Sequence, residues 1–461
     1  MTGEPSAGAA SRPALQVWRG FAVVGLVLAI LAGFTSGSLA QLANAASLAA
    51  IWPAALAQAH GHVQVYGFAG LITLGVAQHF VPRLRGVSPP APGICRLGLL
   101  LLGAGLALRI LSQPLLAGLA ESTAPFPAAA GLIASGLLEL AGAGLLLSTL
   151  AATLRRPAVE RKRPSRTVSA ALLVGSTAYG AGLLLNLAGV WSAATDDLLR
   201  GLIPGPVGAA ATVIGFYGFL LPIAFAMGSR TFPLFFRAQA PRSAVLAAAL
   251  GLVTSGTTLR VTGLLAPTSG LRVAGEVLLA CGVLAGILAL QVFTRRRTLS
   301  RERRSAWLDP LNLLVTSAHG WLALAALVLL GRNLAPPGAS LVPRSLDVEW
   351  HLLGAGYVTL LILAVGSHLL PGFGGQRLRW PWASWALLIL GNSFVVGRLA
   401  SGLFPGSAPA RWLASGAGPL AMAALLLFAL NCGLVGIARR SGPRAGALEP
   451  DGGRPGRARS R

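Results

Sequence analysis

Acidic residues are scarce: aspartate and glutamate total 13 of 461 residues, and charges of both signs make up 11% of the chain. An ordinary soluble domain carries roughly 25%. So little charge excludes a soluble globular enzyme, and it equally excludes a disordered chain, which needs low hydrophobicity and high charge. Cysteine is scarcer still. Cys95, Cys281 and Cys432 are too few and too scattered for a disulfide framework. Glycine-rich phosphate loops, zinc-type cysteine pairs and nucleophile elbows are not evident. What the chain does have is apolar residues, 54% of the total, and 59 glycines. A bilayer-spanning helix needs about 20 mostly apolar residues, so one helix with a short loop takes about 38, and the length accommodates about twelve spans.

Twelve apolar stretches answer to that count, at about 18–38, 61–82, 93–114, 126–152, 167–190, 207–229, 243–264, 271–293, 310–331, 350–371, 382–403 and 412–437. The expected fold is an all-α polytopic membrane protein. A cytoplasmic segment 1–16 precedes a transmembrane domain 17–437, and a disordered basic cytoplasmic tail 438–461 follows. Arginines set the orientation. They crowd the loops after even-numbered spans (Arg155, Arg156, Arg161, Arg163 and Arg166 after the fourth; Arg295, Arg296, Arg297, Arg301, Arg303 and Arg304 after the eighth). The odd loops hold mainly Arg200, Arg332, Arg344 and Arg411. The positive-inside rule then predicts both termini in the cytoplasm. The net charge of +24 is explained by this topology and by anionic lipid, and no nucleic-acid partner is expected.

A repeat underlies the spans. The second reads His62 to Tyr66-Gly67-Phe68 and ends His79-Phe80-Val81-Pro82; the tenth reads His351 to Gly356-Tyr357 and ends His368-Leu369-Leu370-Pro371. Both histidine pairs are 17 residues apart (79 − 62 and 368 − 351). The sixth span keeps the frame without histidine: Val213, Tyr217-Gly218-Phe219, and Arg230 before Pro233. The offsets are 151 and 138 residues, so the spans group as three pseudo-repeats of four.

Four of the six histidines belong to this repeat, and 17 residues at 1.5 Å each separate the two levels by about 25 Å. The spacing predicts His62 and His351 as axial ligands of a b-type heme near the outer face, since heme iron accepts neutral imidazole from two facing helices. His79 and His368 would form a second site at the inner level, with Arg230 beside them. Seventeen steps of 100° leave His62 and His79 about 100° apart on an ideal helix, so two sites on one face require local bending. Gly67 and Gly356 offer flat ground for a macrocycle, though small residues also serve helix packing. His60 and His319 are further candidate metal ligands. No C-x-x-C-H motif is present, so a heme would be held without thioether links. Buried charge is expensive in a bilayer, which singles out Glu139, Glu276, Arg109, Arg260 and Arg398 as candidates for heme propionates or for interhelical Arg–Glu pairs. The alternative function is a secondary transporter, whose repeats line a substrate pathway and whose histidines relay protons.

The segment Ala59-His60-Gly61-His62-Val63-Gln64-Val65-Tyr66-Gly67-Phe68, with the ending His79-Phe80-Val81-Pro82, resembles the NnrS family. His60 and His62 match the two histidines of that family's Trp-His-x-His-Glu-Met signature, and Gly67-Phe68 matches its later pair. Ala59 replaces the tryptophan, and Val63-Gln64 replaces Glu-Met. His351 stands for the family's later histidine. The resemblance implies a twelve-span protein of the bacterial inner membrane that holds heme and copper, with a redox partner or nitric oxide as its counterpart. The three-by-four layout also resembles the catalytic subunit of heme–copper oxidases and nitric oxide reductases, whose second and tenth helices hold a low-spin heme. That superfamily carries metal-ligand histidines on its sixth and seventh helices. Here Val213 stands in the sixth span and the seventh has no histidine, so an oxygen-reducing binuclear centre is not expected.

Overall fold

A computed structural model of the chain describes residues 17–48, 50–119, 126–157, 165–199, 201–266, 268–294, 308–334 and 342–435. The segment 1–16, the basic runs at 158–164 and 295–307, and the tail 438–461 lie outside the described residues. Among those described there is no strand. Twelve helices are long and apolar enough to cross a membrane: α1 Val17–Ala45, α2 Trp52–Arg85, α3 Pro92–Gly118, α4 Phe126–Arg155, α5 Arg166–Thr195, α6 Gly205–Phe235, α7 Ser243–Leu265, α8 Ser269–Leu290, α9 Pro310–Leu334, α10 Ser345–Phe373, α11 Ala383–Leu403 and α12 Ala408–Asn431. The chain is a polytopic, all-α membrane protein.

Every expected stretch has its helix, but several helices run past the ends that hydropathy marks. α2 starts at Trp52 rather than near 61, with Pro53 in its first turn, where the missing N–H and fixed φ suit a helix start. α10 starts at Ser345 rather than 350, and α1 continues to Ala45 rather than 38. The extensions carry Gln41, Gln58, His60, Asp347 and Glu349. These residues lower the hydropathy without ending a helix whose polar side chains face the protein interior. Arg332 likewise belongs to α9 rather than to a loop.

The three repeat helices form the inner layer. The apolar windows of α2, α6 and α10 are 78%, 72% and 61% buried, against 39–56% for the other nine. Leucines such as Leu100, Leu137 and Leu173 on the outer helices stay exposed, as a lipid-facing surface requires. Close approach of α3 to α4 and of α7 to α8 depends on glycine. A Cβ at Gly105 would lie 2.7 Å from the Ser135 carbonyl oxygen, and one at Gly256 would lie 2.8 Å from the Leu279 nitrogen.

The repeat is written into the backbone as well. π-Helical segments interrupt α2 at Val63–Ala69, α6 at Ile214–Leu220 and α10 at Leu352–Thr359. Their starts keep the sequence offsets, 214 − 63 = 151 and 352 − 214 = 138. Each begins directly after the repeat position held by His62, Val213 and His351. Such bulges occur often at functional sites. A fourth π-helical segment, Leu28–Phe34 in α1, has no repeat counterpart.

Candidate functional site

A cavity of about 500 Å³ opens where α1, α2, α6, α10, α11 and α12 converge, with Arg109 of α3 and Asn186 of α5 on its wall, and His60, His62 and His351 all line it. His62 lies ten residues into α2, about 15 Å along the axis, and His351 six residues into α10, about 9 Å. The histidines therefore sit within the spans rather than at their ends, a consequence of the longer helices.

The imidazoles of His60 and His351 are parallel, with centroids 6.5 Å apart and planes 11° from each other. His60 Nδ1 is 2.7 Å from the Gly33 carbonyl oxygen, and His351 Nδ1 is 2.8 Å from that of Asp347. A carbonyl only accepts, so each Nδ1 carries a proton. Ligand histidines are oriented in the same way, by donating the other ring N–H to a carbonyl or carboxylate.

His62, which the repeat spacing pairs with His351, is engaged elsewhere. Its Nε2 meets Glu139 Oε2 at 2.5 Å, and its ring stacks on Tyr66 with centroids 4.9 Å apart. Tyr66 in turn donates to the Ala211 carbonyl at 2.7 Å, and Tyr179 donates to that of Tyr66 at 3.0 Å. Glu139 is fully buried, with Oε2 on His62 and Oε1 without a hydrogen-bond partner among the described residues. The structure thus brings together His60 and His351, from non-equivalent positions of two repeat copies.

Two cations stand on the cavity wall. Arg398 donates to Asp347 Oδ1 at 2.8 Å, and Asp347 Oδ1 lies 3.3 Å from His351 Nδ1. Arg109 is fully buried, donating to Gln113 at 2.7 Å and Asn186 at 3.2 Å. Five lining side chains hold a buried polar atom with no hydrogen-bond partner among the described residues: Ser38 Oγ, Gln41 Oε1, Gln64 Nε2, Asn186 Nδ2 and Trp350 Nε1. The walls are otherwise largely apolar, so the cavity suits a guest with an apolar body and polar edges.

A second polar cluster adjoins it. Arg260 grips Glu349 in a bidentate pair at 2.6 and 2.9 Å, and Arg332 bridges Glu349 at 2.7 Å and Glu276 at 2.9 Å. Tyr217 donates to Glu349 at 2.8 Å. The group ties α6 through α10 together and contains two positive and two negative side chains. Arg109, Arg260 and Arg398 follow the repeat offsets, 260 − 109 = 151 and 398 − 260 = 138, a regularity that a search centred on histidine passes over.

The inner-level histidines lie in separate aromatic settings. His79 packs on Phe373 at 4.2 Å and Trp18 at 6.3 Å, whereas His368 packs on Phe236 at 4.8 Å and Phe235 at 5.6 Å. Arg230, expected beside them, is exposed. His319 is fully buried between Phe232 and Tyr357 and bonds the Val315 carbonyl at 2.8 Å, away from the cavity. Gly67 and Gly356 are packing residues. A Cβ on the first would meet Leu106 at 3.3 Å, and one on the second would meet Trp321 at 2.6 Å. Among the described residues no group of three or more His, Cys, Asp or Glu is placed to hold a metal ion. A porphyrin, which brings four nitrogens of its own, asks the protein for two ligands only.

No protein-family model matches the chain, and no curated protein matches it.

Proposed function

We propose that this is a heme-binding protein of the bacterial inner membrane, similar to the NnrS family and acting in the response to nitric oxide, with both termini in the cytoplasm. His60 and His351 would be the two axial ligands. The observation that supports this reading is their stacked pair of imidazoles, each with its Nδ1 proton given to a backbone carbonyl, on the wall of a cavity of about 500 Å³. Arg398 and Arg109 would face the carboxylates of the macrocycle, where charge-assisted hydrogen bonds are strongest. The bound group supplies one-electron exchange with a redox partner or with nitric oxide. The protein holds the two rings in register and shields the site with apolar walls.

The visible spectrum of the purified protein tests this. A low-spin, six-coordinate b-type spectrum is expected, lost or turned high-spin in His60→Ala and in His351→Ala. Protein without heme after expression with ample precursor would refute the reading. The contact of His62 with Glu139 beside the cavity favours a second reading, a proton-coupled transporter, for which the same preparation would be colourless.

A further inference from the structure

On the far side of the π-helical segments from His60 lies a second cavity, of about 150 Å³. Its walls come from α2, α6 and α10, joined by Leu172 of α5. The lining follows the repeat. Ile72, Ile223 and Leu361 keep the offsets 223 − 72 = 151 and 361 − 223 = 138, as do Val76, Met227 and Val365. Six such triads account for all but four of the lining residues, so the cavity sits on the axis that relates the three copies. None of its residues is charged. Of its hydroxyls, that of Thr231 is turned back to the Met227 carbonyl at 3.0 Å.

We propose that this axial cavity is a binding site for one small, uncharged apolar molecule no larger than benzene, such as a dissolved gas. A bound water needs two to four polar partners, and among the described residues the Tyr357 hydroxyl is the single buried polar atom of this lining without a hydrogen-bond partner. An enclosed apolar cavity of about this volume stays dry and takes up benzene or xenon; this one shares the volume and the apolar lining and is partly enclosed. The same volume is too small for a lipid tail. Val358 borders both this cavity and the one that holds the histidines, so an apolar guest reaches the polar site past one side chain. The proposal rests on packing alone and does not depend on heme being bound.

The chain offers an internal probe. It has three methionines, and Met227 lines the cavity, whereas Met422 takes a contact from Thr35 at 3.7 Å outside it. In the full-length protein, methyl-labelled at methionine and held in lipid nanodiscs, a xenon pressure series should shift the Met227 methyl resonance saturably. The Met422 resonance should stay still. Ala224→Leu fills the cavity and should abolish the Met227 response while leaving Met422 unchanged. Ala77→Leu, from the facing helix, should do the same should the first variant fold poorly. A Met227 shift that rises linearly together with that of Met422 would mean simple partition of xenon into the lipid and would overturn the proposal. So would a folded protein with no Met227 response, or methyl contacts to acyl-chain protons that xenon does not displace.

Discussion

His60 and His351 present parallel imidazoles 6.5 Å apart, although one lies within the first α-helical stretch of α2 and the other directly precedes the π-helical segment of α10. Both rings are fixed by backbone carbonyls, which no side-chain substitution removes. Asp347 and Arg398 add a charged arm behind His351.

A ligand series follows from this pair. His60→Ala and His351→Ala should each lower heme content or convert it to a high-spin form, while His79→Ala and His368→Ala leave the spectrum unaltered. Heme content by pyridine hemochrome and the reduced spectrum provide the readout. Loss confined to the inner-level variants would transfer the ligands to the other end of the bundle.

Glu349 is fully buried between Arg260 and Arg332. Removing one member of a buried ionic group leaves its partners uncompensated, at a cost of about 3–5 kcal/mol. Glu349→Ala should therefore lower the thermal unfolding midpoint markedly, more than Asp347→Ala, whose carboxylate is partly accessible. Fluorescence-detected size exclusion after heating measures both, and equal midpoints would argue against the network as a structural tie.

Gly356→Ala places a methyl 2.6 Å from the Trp321 side chain and should cost about 1–3 kcal/mol by overpacking. Gly144 in α4 has nothing within 4 Å of an added Cβ, so Gly144→Ala should be neutral or stabilising by up to about 1 kcal/mol. Comparing the two melting midpoints separates a packing glycine from a merely permissive one.

The ends of α2 and α4 meet: Arg85 donates to the Arg156 carbonyl, and Arg156 to that of Ser88. The arginine-bearing ends of α2 and α4 thus share one face of the bundle, and the proposed orientation puts that face in the cytoplasm. A carboxy-terminal fluorescent-protein fusion should be bright, and a phosphatase fusion at the same point silent. The opposite pattern would invert the assignment.

The twelve helices were legible because each carries its own apolar run, and the repeat because glycine, proline and histidine recur at fixed distances. Helix ends were not, since α2 and α10 continue through His60, Asp347 and Glu349, whose polarity lowers hydropathy without breaking hydrogen bonds. The site was half legible. Alignment of the copies equates His62 with His351, but the contact joins His351 to His60, two residues earlier in its copy. Nothing local in the sequence reports that His62 is occupied by Glu139, 77 residues away. The π-helical segments have no composition of their own, and the arginine triad offers one residue per copy.

The two imidazoles are anchored in unlike ways. His351 is tied within its own helix, four residues back to Asp347, whereas His60 reaches across to Gly33 of α1. The orientation of one ring therefore depends on its own helix and that of the other on the packing of α1 against α2. A sliding of α1 against α2 would tilt a single ring, so that a mechanical event at the bundle's edge is felt by one donor while its counterpart keeps the frame.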